Sequence, residues 1–184
     1  MHYMPLSLLR GINVAGQKKV KMADLKKLYE KMGCENVRTY IQSGVFDSGA
    51  NATPSEGEIE KAILKEFGFE VKVVNRSKEE MERVVKNNPF KKLDEARLYV
   101  TFLERSVGDA ALRAVVMEKI APFAVGGEEI VMSGESGREI YLYIPDGYGR
   151  TKLSNALIER KCGVAATTRN WRTVGVLRGM LTEM

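Results

Sequence analysis

Apolar positions recur along the chain with two rhythms, and together they predict its elements. Tyr3 to Leu9 reads as a strand that runs into Arg10. Met22, Leu25, Leu28, Tyr29 and Met32 then share one helical face, and Gly33 supplies a left-handed stop. NVRTYI, residues 36–41, predicts a second strand, with QSG as the turn and VFDS, residues 45–48, as the return of a hairpin. Thr53-Pro54-Ser55-Glu56 reads as a capping box with proline at the first helical position. Ile59, Ala62, Ile63 and Phe67 form the apolar face of that helix, and Gly68 ends it. FEVKVV, residues 69–74, alternates as a strand does. The succession is β-α-β-β-α-β.

A second capping box, Ser77-Lys78-Glu79-Glu80, opens a helix with Met81, Val84 and Val85 on one side, limited by Pro89. The same grammar then returns. RLYVTFL (97–103) is a strand, and Leu112, Val115, Val116 and Ile120 mark a helix before Pro122. EEIVMSG and REIYLYIP form a hairpin around Gly134–Gly137, with a helix through Leu153, Ala156 and Leu157 ending near Gly163. VAA, residues 164–166, is the expected last strand.

This order predicts an α+β protein of two tandem ferredoxin-like plaits, each an antiparallel sheet with both helices on one face. One larger mixed sheet is the alternative. The expected divisions are a first unit at 1–76, a connector helix and linker at 77–95, a second unit at 96–167 and a C-terminal helix at 168–184. Trp171, Val174, Leu177 and Leu181 form the last helix's stripe. Each unit alone would be small, so the two are expected to pack together, with Trp171 in a shared core. No residue-level repeat is visible, and the duplication rests on element order.

Composition narrows the classes. The 184 residues are 44% hydrophobic and 29% charged, which suits a globular, soluble chain. No apolar run approaches the roughly 20 residues of a membrane span. The amino terminus lacks a charged leader, and its apolar run meets Arg10 too early for a signal peptide. Cys34 and Cys162 stand alone, as a reducing cytoplasm allows. His2 is the only histidine, so catalytic triads and histidine metal sites are excluded, and no metal or cofactor is expected. A formal charge of +5 tilts the chain toward anionic partners.

LLRGINVAGQKKVKM, residues 8–22, concentrates that charge. Arg10 ends the strand, Asn13 and Gly16 lie in the turn, and Lys18, Lys19 and Lys21 precede the helix. Lysine there opposes the helix dipole by about 0.3–1 kcal/mol per charge. An anionic visitor at the helix amides explains that better than folding does; a solvated lysine loop is the alternative. The spacing of a nucleotide-hydrolase phosphate loop is absent, and GINVAG lacks the third glycine of a dinucleotide fingerprint. Gln42 and Ser43 in YIQSG could direct hydrogen bonds to a ligand.

Two later motifs add charge. In GYGRTKLSN (147–155), Thr151 or Ser154 could cap a helix beside Arg150, Lys152 and Asn155. In TTRNWRT (167–173), Thr168 or Asn170 could cap the next, beside Arg169 and Arg172. Arg172 falls off the apolar stripe, and internal ion pairs are the alternative for both arginines. Strand alternation predicts that Tyr99, Tyr141 and Tyr143 share a helix-free face, where they could stack on nucleic-acid bases.

The opening stretch, YIQSG, GYGRTKLSN and GVAATTRNWRTV (163–174) together resemble the bacterial family catalogued as domain of unknown function 1697. The resemblance implies a two-part α+β fold with plait-like halves and no established activity. Ala15 stands where the family's pattern usually has glycine. After Gly44 the chain goes directly to Val45, where the pattern usually continues with asparagine and valine.

These readings lead to a cytoplasmic protein that binds a phosphate-bearing ligand, nucleic acid or nucleotide, and not a membrane. The charge would come from Arg10, Lys18, Lys19, Arg150, Lys152, Arg169 and Arg172, and the directed hydrogen bonds from Asn13, Gln42, Ser43 and Asn155. The alternatives are an enzyme acting on a phosphorylated small molecule in a cleft between the units, and a homodimer module whose contact is the tyrosine face.

Overall fold

The structure, a computed structural model, describes residues 5–14, 16–47 and 53–183. The chain divides into two compact units: the chain up to Arg83 with the stretch from Gly175 onward, and Val84–Val174. The expected starting residue Tyr3, the turn residue Ala15 and Ser48 lie outside the described residues, as does His2.

The first unit contains β1 (Leu6–Arg10), α1 (Met22–Lys31), β2 (Glu35–Thr39), β3 (Ser43–Asp47), α2 (Glu56–Phe67) and β4 (Lys72–Arg76). Its sheet runs β2-β3-β1-β4 with every pairing antiparallel. Leu9, Val37, Phe46 and Val73, one from each strand, join Leu25 and Tyr29 of α1 and Ile59 and Ile63 of α2 in one buried core. α3 (Lys78–Lys86) follows, and its residues up to Arg83 belong to this unit.

The second unit contains β5 (Leu98–Leu103), α4 (Ala110–Ile120), β6 (Glu129–Met132), β7 (Glu139–Tyr143), α5 (Asn155–Cys162) and β8 (Ala166–Asn170). Its sheet runs β6-β7-β5-β8, again antiparallel throughout. Leu103, Ile140, Leu142 and Ala166 meet Val116, Ile120, Leu157 and Ile158 in its core. α6 (Trp171–Thr182) begins in this unit and from Gly175 belongs to the first.

Several boundaries differ from the sequence pattern, each for a physical reason. The first hairpin turns at Ile41 and Gln42, both left-handed (φ 32° and 60°), and the Tyr40 amide donates to the Ser43 carbonyl across 3.0 Å. Ser43 and Gly44 are therefore already strand. The cap of α2 is Ser55, not Thr53: Glu58 donates its amide to the Ser55 hydroxyl and accepts the Ser55 amide, while Glu56 instead accepts the Asn75 amide at 2.7 Å. β4 starts at Lys72 because that residue pairs with Arg10, where β1 ends. β8 covers Ala166–Asn170, not residues 164–166, because its register on β5 begins at Ala166 opposite Leu103.

Packing also corrects two stripes. Val116 and Ile120 of α4 are buried, but Leu112 and Val115 remain 49% and 44% exposed. On α6, Val174, Leu177 and Leu181 are fully buried, whereas Trp171, in the first turn, is only half-buried.

The register reveals a repeat that the letters conceal. In the first unit Ser7 pairs with Asn75 and its hydroxyl donates to Asn75 Oδ1 at 2.8 Å; Asn75 also donates its amide to Glu56, the first residue of α2. In the second, Thr101 pairs with Thr168, and the Thr168 hydroxyl donates to Asn155 Oδ1 at 2.6 Å, Asn155 being the first residue of α5. The next residue in each fourth strand is a buried arginine, Arg76 or Arg169, whose Nη1 donates to the carbonyl just before it at 2.8 or 2.9 Å. The residue after that, Ser77 or Asn170, caps the following helix. The two units thus share a polar frame as well as an element order.

Candidate functional site

In the first unit the chain builds a basic cleft of ≈ 430 Å³ between the end of β1, the start of β4 and one flank of α2. Arg10, Lys18, Lys61 and Lys72 line it, against the two carboxylates Glu60 and Glu70. Arg10 and Lys72 sit directly opposite each other in the β1–β4 register. Like charges so placed normally oppose pairing. Glu60 relieves this repulsion: its carboxylate takes Lys72 Nζ at 3.1 Å and the Val73 amide at 3.0 Å. Lys18, left-handed at φ 46°, sends Nζ to the Glu70 carbonyl at 2.7 Å.

The tight turn of the opening stretch is held by Asn13. Its side chain imitates a backbone pair with Val20, donating to that carbonyl at 2.9 Å and accepting that amide at 2.8 Å. Asn13 therefore shapes the loop. Val14 bridges Gln17, and Lys19 is exposed outside the cleft lining. Gln42 is half-buried in the hairpin turn, its carbonyl accepting the Leu9 amide at 3.1 Å. Ser43 is fully buried, with its hydroxyl on the Ile41 carbonyl at 3.4 Å. Of the six first-unit residues expected at a ligand, Arg10 and Lys18 line the cleft.

Lys61 and Lys72 were not anticipated. Gly57, Glu60, Lys61 and Leu64 recur at i, i+3, i+4 and i+7, off the Ile59/Ile63 core stripe, which was a legible signal. Lys72 became visible only through strand register.

In the second unit GYGRTKLSN and TTRNW meet. Tyr148 donates its hydroxyl to Thr168 Oγ1 at 3.1 Å, and Thr168 in turn reaches Asn155 and Thr101. Arg150 and Lys152 are exposed on the turn between Gly147 and α5. Ser154 caps α5 by accepting the Leu157 amide, whereas Thr151 accepts the Leu153 amide one turn earlier. Asn170, not Thr168, caps α6, because Thr168 is inside β8.

Arg169 lies in the buried part of β8, bonded through Nη1 to the Thr167 hydroxyl at 2.7 Å, and burial pulls its guanidinium down to about 10. Arg172 is exposed at the start of α6.

The tyrosine face needs correction. Tyr99 pairs with Leu142, whereas Tyr141 pairs with Val100 and Tyr143 with Leu98, so Tyr99 projects to the opposite side from the other two. It lies on the core side, its ring 5.2 Å from that of Tyr148. Tyr141 is 3% exposed with its hydroxyl on the Val84 carbonyl at 3.0 Å, and burial raises its phenol well above the ordinary value. Tyr143 is half-buried beside Phe90.

Among the described residues, no group of three or more His, Cys, Asp and Glu is placed to hold a metal ion, and no helix is long and apolar enough to cross a membrane.

Two four-stranded antiparallel sheets with six helices among the described residues define an α+β protein of two tandem units. The chain belongs to the family described as protein of unknown function, DUF1697, which it matches over residues 4–134. The motifs GYGRTKLSN and GVAATTRNWRTV lie beyond the matched stretch. The fold is similar to that of the conserved bacterial protein SP0830 from Streptococcus pneumoniae, with a TM-score of 0.68 and 22% identity over 98% of this chain and 99% of that one. No curated protein matches the chain.

Proposed function

We propose that this protein is a cytoplasmic binding protein for a phosphate-bearing ligand, a nucleotide or nucleic acid, and that each unit is a ferredoxin-like plait. The plait reading rests on sheet order: read from the other edge, each sheet runs fourth, first, third, second strand, within a β-α-β-β-α-β succession. The cytoplasmic reading rests on Cys34 and Cys162, both free thiols.

The ligand reading is carried by one observation. Arg10 and Lys72 face each other across β1 and β4, with Lys18 and Lys61 beside the same cleft. The oxygens of a bound phosphate suit both a guanidinium fork and ammonium point charges.

Fluorescence anisotropy with labelled RNA, DNA and nucleotides across a salt series tests the reading. The expected result is an affinity that falls linearly in log salt, reduced by about tenfold in Arg10→Ala and in Lys72→Ala. Undetectable binding, or binding indifferent to salt, rejects it.

A further inference from the structure

Gly57 sits in the first turn of α2, where glycine loses more backbone freedom on folding than any other residue. Its backbone is helical, so its dihedrals suit any residue. Among the described residues, no atom lies within 4 Å of where its Cβ would stand. Neither turn geometry nor packing calls for glycine here, and helix propensity disfavours it. What the missing side chain does is leave space: Gly57 lines the basic cleft, on the same flank of α2 as Leu64 two turns further on.

The lining has a second character besides charge. Leu64, 43% exposed, offers apolar surface to an organic group beside the cations. Among the described residues no aromatic ring lines the cleft, unlike the platforms on which single strands of nucleic acid stack their bases. Its ≈ 430 Å³ falls within the roughly 300–1,000 Å³ of small-molecule pockets.

We propose that this cleft takes a small phosphate monoester of about mononucleotide size, and that Gly57 sets the size it admits. The inference rests on the phosphate-binding reading above and narrows it from nucleotide or nucleic acid to a small ester. The cations hold the phosphate, and the organic group lies against the bare α2 backbone and Leu64. A Cβ at position 57 enters that space without meeting another described atom.

Calorimetric titration of the full chain at low salt, with AMP, CMP, ribose 5-phosphate, inorganic phosphate and a single-stranded RNA dodecamer, tests this. At least one of the three monoesters is expected to bind more tightly than inorganic phosphate. Its affinity should fall about threefold in Gly57→Ala and about tenfold or more in Gly57→Leu, as added methylenes fill the space. Inorganic phosphate should bind both variants nearly as it binds the natural protein. The melting temperature of Gly57→Ala should hold or rise, separating a filled cleft from a damaged fold.

If Gly57→Ala and Gly57→Leu bind the monoester as the natural protein does while Arg10→Ala does not, the size-setting role is overturned and the phosphate-binding reading survives. Tight binding of the dodecamer alone, insensitive to Gly57→Leu, overturns the small-ester assignment in favour of nucleic acid. If none of the five probes binds, the inference and the reading it rests on fall together.

Discussion

The hydroxyls of Thr101 and Thr168 lie 2.7 Å apart across β5 and β8, at the register position where Ser7 meets Asn75 across β1 and β4. In both units this contact ties the first strand to the fourth, and the fourth to the first residue of the helix before it. Small polar groups inside a sheet are tolerated because each finds a partner.

Thr168→Val should therefore cost about 1–3 kcal/mol, because it removes the link to Asn155 and leaves the buried Thr101 hydroxyl without its partner. Removing both hydroxyls in Thr101→Val/Thr168→Val should cost less than the sum of the single changes. Urea unfolding of the three variants measures the coupling, and strict additivity would show that the contact contributes nothing.

Gly44 carries a packing constraint. A Cβ there would come 2.7 Å from Cε2 of Tyr29, a fully buried ring stacked on Phe46 at 4.7 Å. Gly44→Ala should destabilise the first unit by about 1–3 kcal/mol through overpacking. Gly44→Ala with Tyr29→Leu should recover part of that loss in thermal melts.

The cap of α2 separates two positions close in sequence. Ser55→Ala should lose about 0.5–2 kcal/mol, since it removes the hydroxyl that accepts the Glu58 amide. Thr53→Ala should stay within about 0.5 kcal/mol, the range of substitutions away from such features. Equal losses in denaturant would place the cap two residues earlier than the structure does.

Alkaline pH should weaken the fold. Burial raises the Cys34 and Cys162 thiols from 9.0 to about 11. An acid held above its ordinary value stays protonated in the fold after the unfolded chain has released its proton. Stability is therefore full below pH 9 and declines as pH climbs toward about 11. The urea midpoint should be lower near about pH 10.5 than near about pH 8, with a smaller drop in Cys34→Ala. Both thiols should also react slowly with a maleimide at neutral pH until urea opens the fold.

Much of the architecture is legible in local pattern. The Leu25/Leu28/Tyr29 and Ile59/Ile63 stripes mark α1 and α2, and glycines at 33, 68 and 163 adopt the left-handed stops that their positions predict. The Ser77–Glu80 box forms as written, with both of its reciprocal bonds made. These features involve residues within a turn or two of one another, so propensity and periodicity suffice to specify them.

The candidate site is less legible, because it depends on which strand lies beside which. Arg10 and Lys18 stand out as charges in the sequence, but Lys72 joins them only because β4 pairs with β1 from that residue onward. Tyr99 lies on the core side, not on the face of Tyr141 and Tyr143, for the same reason. Alternation says which residues share a side of one strand, while the offset between strands says which sides coincide, and that offset puts Tyr99 opposite Leu142.

By itself, then, the sequence determined the kind and order of the elements, their principal stops and the excess of positive charge. Those follow from short-range dihedral preferences and from composition. The tertiary structure alone decided the register, and with it the shared Ser7–Asn75 and Thr101–Thr168 frame, the pairing of Arg10 with Lys72, and the burial of Arg169 and Tyr141. The reason is that contacts between residues far apart in the chain come from the simultaneous packing of whole strands and helices, which no local window of residues encodes.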